Sequence, residues 1–164
     1  MKKSTLYLVF AALGSNLVIA AVWHKSPIRE IPNSPFGNHY WAVSSATIEP
    51  ALDLDTDGKP DSDLRALVPD CEGDDADRYL EDGTIVTDRG SKSCDIDEER
   101  QEETGTWSYD PSTRTLVMEK YDGSRPVHAH LESVSSTQII FISRHSSAKG
   151  IHTVRTTLKV KEKN

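Results

Sequence analysis

The segment Ile151-His-Thr-Val-Arg-Thr-Thr-Leu-Lys-Val160 alternates in character with a period of two. Val154, Thr156, Leu158 and Val160 share one face, and Arg155, Thr157 and Lys159 share the other. Successive strand side chains point to opposite faces, so one side of this strand meets a core and the other meets water. Working outward, residues 137–144 contain Ile139-Ile-Phe-Ile142, an apolar run that reads as a strand buried on both faces. Residues 125–133, 114–120 and 105–109 give three more strands. The turns between them are Ser135-Ser136, Tyr121-Asp-Gly-Ser124 and Asp110-Pro-Ser-Thr113. Asp82-Gly83 suits a type I′ hairpin between residues 77–81 and 84–87, because both central positions tolerate positive φ. Residues 39–49 are rich in β-branched and aromatic side chains and form strand A, which Pro50 should end. Eight strands, short connections and no long helix predict an all-β fold, an antiparallel up-and-down barrel whose closure removes exposed edges.

One short helix is expected after strand A. Leu64, Leu67 and Val68 fall at i, i+3 and i+4, Ser62 or Asp63 is available as N-cap, and Pro69 terminates the turn. Residues 88–103 are polar and read as loop.

The totals agree with a small barrel. The chain has 164 residues, room for one domain and a leader, with 36% apolar residues. Formal charge is −7, and it becomes −9 without Lys2 and Lys3. That balance argues against nucleic acid and anionic membrane surfaces as partners. Met1-Lys-Lys and the apolar run 6–22 read as a signal peptide over 1–21, with Val18-Ile-Ala20 as a cleavage signal. An uncleaved anchor is the rival reading. Residues 22–38 carry Pro27, Pro32 and Pro35 and read as a linker, leaving 39–164 as the barrel domain. An extracytoplasmic location follows, with no membrane insertion once the signal is removed.

Cys71 and Cys94 are the only cysteines. In an exported chain they predict one disulfide, worth about 3 kcal/mol in the chain-entropy picture. A two-cysteine zinc site has neither CxxC spacing nor a nearby histidine in its favour.

The stretch Asp53-Leu-Asp-Thr-Asp-Gly-Lys-Pro-Asp-Ser-Asp63 has two readings. Asp53, Asp55, Asp57, Gly58 and Asp61 match positions 1, 3, 5, 6 and 9 of a calcium loop, with the Lys59 carbonyl as a further ligand. Position 12 is Leu64, which offers no carboxylate. The other reading is an Asx-rich turn that caps the following helix. Any calcium would be structural, because no nucleophile or base is recognisable beside it.

His128 and His130 share one face of a strand, as zinc ligands do, and His145 and His152 flank the next hairpin. Val127, Ala129 and Leu131 on the opposite face turn His128 and His130 toward solvent. Trp41, Val43, Trp107, Tyr109, Val154 and Leu158 are the candidates for barrel interior or pocket. No G-x-S-x-G, H-E-x-x-H or glycine-rich phosphate loop is present, and no enzyme is expected.

Several pieces, in order, carry a resemblance: Trp41, the stretch from Asp53 to Leu64, Pro69-Asp-Cys-Glu72, Asp82-Gly-Thr84, Cys94-Asp95 and Glu102-Glu-Thr-Gly-Thr-Trp107. Together they resemble the lipocalin-like domain of exported Bacteroidetes proteins, from about residue 40 to the C-terminus. The resemblance implies a small up-and-down or partly open barrel with an internal pocket, its floor closed by Trp41. One departure is that many relatives begin with a lipoprotein cysteine and this chain has none near its cleavage signal. The expected function is binding of a small, partly apolar ligand in the barrel. The alternative is a structural or interaction domain with a packed interior and a calcium-stabilised acidic loop. An open apolar cavity would favour the first and a filled interior the second.

Overall fold

In the computed structural model the described residues are 34–161. The expected leader, and residues 22–33 of the linker, lie outside them. The strands are β1 (Tyr40–Leu52), β2 (Asp61–Asp63), β3 (Ala76–Tyr79), β4 (Thr84–Asp88), β5 (Gln101–Asp110), β6 (Thr115–Lys120), β7 (Val127–Val134), β8 (Gln138–Ser147) and β9 (Gly150–Val160). A single 3-10 turn, Leu64–Leu67, follows β2.

From β3 to β9 each strand pairs antiparallel with the next, and β9 pairs with β1 from Trp41↔Val160 to Glu49↔Thr153. The other edge of β1 is shared. Its start takes β3 through Tyr40↔Arg78 and Trp41↔Asp77, and its far half takes β2 through Thr47↔Asp63 and Leu52↔Asp61. The ring is therefore a closed eight-strand meander, with β2 as a short addition.

Three local expectations change. Strand A runs past Pro50 to Leu52. The β9 ladder has its last pair at Glu49 and the β2 register shifts between Thr47 and Leu52, so neither ladder calls on the N–H that proline lacks. β5 starts at Gln101 within the stretch read as loop. Its polar first residues pair with β4 through Asp88↔Gln101, Thr87↔Glu102 and Val86↔Glu103, because the barrel wall there faces water and polar groups on both sides. In β8 only Ile139 and Phe141 are buried, while Ile140 and Ile142 lie half-buried on the outer face.

The core starts at one end of the barrel. Phe36 is fully buried there, stacked on Tyr79 at 3.8 Å and edge-on to Trp107 at 5.1 Å. Trp41 donates its Nε1–H to the Phe36 carbonyl at 2.8 Å, and Trp107 does the same to the Leu80 carbonyl at 2.8 Å. Each ring thus buries its apolar body and still satisfies its polar tip. Ile85, Leu116, Leu131 and Ile139 complete this buried cluster. At Gly105 the chain has no room for a side chain: a Cβ would lie 2.3 Å from the Glu119 carbonyl oxygen of β6.

Candidate functional site

The interior is not filled. A cavity of about 750 Å³ lies above the aromatic floor, within the size range of small-molecule sites. Trp41 and Tyr79 form its base. Its two walls differ in chemistry, and strand register explains why. Where β1, β8 and β9 meet, Val43 faces Leu158 and Phe141 faces Thr156, giving an apolar wall that Ala46 completes. Across the cavity, β3 to β6 contribute Asp77, Thr87, Thr104 and Lys120. Leu64 and Val68, on the crossover between β1 and β3, roof the open end, and Tyr121 stands at its rim.

The polar wall is internally bonded. Lys120 Nζ lies 2.9 Å from Asp77 Oδ2 and donates to Thr104 Oγ1 at 3.2 Å. Thr87 Oγ1 donates to Asp77 Oδ1 at 2.5 Å and lies 2.7 Å from Thr104 Oγ1. One level higher, Arg89 reaches Asp75 at 3.1 Å and Glu102 at 3.2 Å. Its Nε lies 3.1 Å from Glu98 without the alignment of a hydrogen bond. Burial opposes the Arg89 charge, but these acids outweigh it and hold its pKa above the usual value. Burial pushes the Asp75 carboxyl up, with Arg89 pulling the other way. Asp75 Oδ1 is buried with no hydrogen-bond partner among the described residues. Tyr79 is fully buried, which pushes its hydroxyl well above its ordinary range, and its O–H points at the Met118 thioether at 3.7 Å. A thioether is a weak acceptor, so that donor is poorly used.

Of the candidate interior residues, Trp41, Val43 and Leu158 come together in the cavity lining. Trp107 lies under the floor against Phe36. Tyr109, packed against the core, and the half-buried Val154 are not part of the lining either. Met118, Phe141 and Thr156 also line the cavity, and each shares strand parity with a recognisable inward residue: Leu116, Ile139 and Leu158. Lys120 and Asp77 line it without any such signal in the sequence, because a lone charge in a strand normally reads as outward-facing.

The roof is fastened. Cys71 and Cys94 form a disulfide, Cα–Cα 5.1 Å, tying the crossover to the β4–β5 loop. Asp63 caps the 3-10 turn by accepting the Arg65 N–H at 3.0 Å. Leu64 and Val68 reach the cavity while Leu67 does not, and none of the turn residues is fully buried, since the space beneath is open.

In the acidic loop, Asp53, Asp55 and Asp61 each bring an oxygen to within 4.8 Å of the others. Asp57 turns onto Lys59, accepting its N–H at 2.8 Å and pairing with its Nζ at 3.5 Å. Asp53 also braces the turn by accepting the Gly58 N–H at 3.1 Å, where φ is +89°. His128 and His130 are exposed. His152 is buried elsewhere, with Nδ1–H donating to the Pro50 carbonyl at 2.6 Å and Nε2 2.9 Å from Ser147 Oγ. His145 is its cross-strand partner, with ring centroids 6.3 Å apart, but both His152 nitrogens are engaged by Pro50 and Ser147.

A closed antiparallel meander of eight strands, a tryptophan at its floor and a cavity entered from the opposite end make one architecture. The chain is a closed up-and-down β-barrel of eight strands. No protein-family model matches the sequence, and no curated protein matches it. Among solved structures the barrel is similar to one described as "Odorant Binding Protein OBP1", at 11% identity and a TM-score of 0.43, over 82% of this chain and 77% of that one. The barrel itself rests on the strand pairings. Among the described residues no helix is long and apolar enough to cross a membrane.

Proposed function

We propose that this lipocalin-like barrel is an exported binding protein that takes a small, partly apolar ligand into its interior. The observation that carries the reading is the cavity of about 750 Å³, with an apolar wall beneath a disulfide-fastened roof. A ligand there exchanges water-exposed apolar surface for contact with Trp41, Phe141 and Leu158, at about 25 cal/mol per Å² removed from water. Titration with the neutral fluorophore N-phenyl-1-naphthylamine tests it. The expected result is a saturable rise in emission, lost in Ala46→Trp, which fills the cavity from β1. A linear, unsaturable signal would overturn the reading.

Export is supported by the leader signals at residues 1–21 and by the disulfide, a bond that persists in oxidising compartments. N-terminal sequencing of secreted material is expected to start near Ala21 or Val22. The motifs shared with the lipocalin-like domain of exported Bacteroidetes proteins point the same way.

A second reading concerns the acidic loop alone. Convergence of Asp53, Asp55 and Asp61 favours structural Ca²⁺, with Asp57 and the Lys59 carbonyl able to join after a local turn. Calcium that binds only the folded state raises Tm, and the gain grows with the logarithm of its excess over Kd. A melting temperature equal in Ca²⁺ and in chelator removes this reading and leaves the pocket untouched.

A further inference from the structure

Among the described residues the buried polar side chains are Thr87, His152 and Thr156. Thr87 bonds to Asp77 and Thr104, and His152 is engaged by Pro50 and Ser147. Thr156 differs. It is 9% exposed and lines the cavity, and its hydroxyl has no hydrogen-bond partner among the described residues. Nor is that hydroxyl one of the unpartnered atoms sealed away from open space, so its free side belongs to the cavity. Register sets it on the apolar wall, between Ala46 of β1 and Phe141 of β8, with Leu158 next on the same face. Buried polar groups are nearly always paired, and this one has only a ligand to pair with.

The charged groups of the lining select no ion. Lys120 is held by Asp77, and Arg89 by Asp75 and Glu102. Acidic side chains outnumber basic ones in the lining, which disfavours a carboxylate ligand. Glu72, Glu102, Glu103 and Asp122 are exposed to water, so an ammonium group gains little from them. The other weakly used group is again a hydroxyl, that of Tyr79, whose O–H meets only the Met118 thioether.

We propose that the ligand is an uncharged carbonyl compound, a long-chain ketone, aldehyde or ester, whose oxygen accepts a hydrogen bond from the Thr156 hydroxyl while its chain lies along the β1–β8–β9 wall. This rests on the cavity being a binding site. A pure hydrocarbon in the same place would strip water from the hydroxyl and return nothing, whereas a carbonyl replaces the lost bond. A site that holds such a donor discriminates against the analogue lacking the acceptor.

The test displaces N-phenyl-1-naphthylamine from the full chain at pH 7 with three probes of equal length: dodecan-2-one, dodec-1-ene and dodecanoate. The decisive quantity is the ratio of ketone to alkene affinity, compared between proteins so that differences in water solubility cancel. Thr156→Val, which exchanges the hydroxyl for a methyl of similar size, should lower that ratio severalfold without weakening the alkene. Thr156→Ser should restore it, and Thr157→Val, on the opposite face of β9 and outside the lining, should leave it unchanged. The infrared carbonyl band of carbon-13-labelled ketone should sit at lower frequency when bound to the native protein than when bound to Thr156→Val. Dodecanoate should bind more weakly than the ketone. A ratio and a carbonyl band both insensitive to Thr156→Val, or dodecanoate binding more tightly than the ketone, would overturn the inference and leave the pocket standing. Absence of saturable dye binding would overturn the pocket reading, and this inference with it.

Discussion

Trp41 works twice, as an apolar floor plate and as the donor that satisfies a buried carbonyl. Trp41→Phe keeps most of the apolar area but strands the Phe36 oxygen. A loss of about 1–3 kcal/mol is expected, read as a lower urea midpoint at unchanged m-value. Gly105→Ala tests a different constraint, because the added methyl meets β6 backbone at 2.3 Å and backbone cannot rotate away. Overpacking of this kind costs about 1–3 kcal/mol or more. At this scale the sequence was legible where a residue sat inside an alternating pattern, as Leu158 did, or in a run of strand-forming residues, as Trp41 did. Phe36 was hidden among prolines that read as linker, and its burial depends on Tyr79 and Trp107, distant in sequence. Lys120 was hidden for another reason. Its charge belongs to a network whose other members sit on β3, β4 and β5, and no local pattern announces partners so far apart.

Among the elements, the crossover between β1 and β3 depends most on its fastening. It lacks a fully buried turn residue and hangs on the disulfide and a few hydrogen bonds. Replacing both cysteines by serine should cost about 3 kcal/mol in unfolding free energy, and should speed limited proteolysis within residues 53–75 first. The roof is also acid-sensitive. The Ser91 N–H and hydroxyl, at 2.7 and 2.8 Å, hold the Asp74 carboxyl below its usual range, and the Cys94 N–H and Ser93 hydroxyl do the same for Glu98. Depressed folded-state values mean stability that is present above the ordinary carboxylate range and lost as pH falls through the folded values. Asp75, pushed up by burial, acts in the opposite sense. Tm is therefore expected to fall on acidification below the ordinary carboxylate range, and less so in Asp74→Asn. Elements were readable wherever turn chemistry bounded them. They failed at Pro50, because a proline is tolerated where neither ladder needs its N–H, and at residues 101–104, because polar strands look like loops.

For the whole molecule, the ring of eight strands followed from counting alternating segments, since a meander with short connections closes on itself. The cavity did not follow. Interior volume is a difference between barrel size and the summed inward side chains, and small inward positions such as Ala46 and Gly105 change it without changing any pattern. The division of the cavity into an apolar and a charged wall is a further step removed, because it emerges only when register sets Val43 against Leu158 and gathers Asp77, Thr87, Thr104 and Lys120.

The seam between β1 and β9 has a consequence in time. It joins segments more than a hundred residues apart, Trp41 with Val160 and Glu49 with Thr153, while every other pairing in the ring joins closer neighbours. Loop-closure entropy must be met before such contacts return anything, so the seam should zip last and slowly, on the millisecond-to-second scale typical of β-rich topologies. Ile48→Val, buried near the far end of that seam, is expected to accelerate unfolding and leave the refolding rate nearly unchanged in a chevron analysis. A barrel that opens by its first and last strands would also admit large ligands by parting there, rather than through its fastened roof.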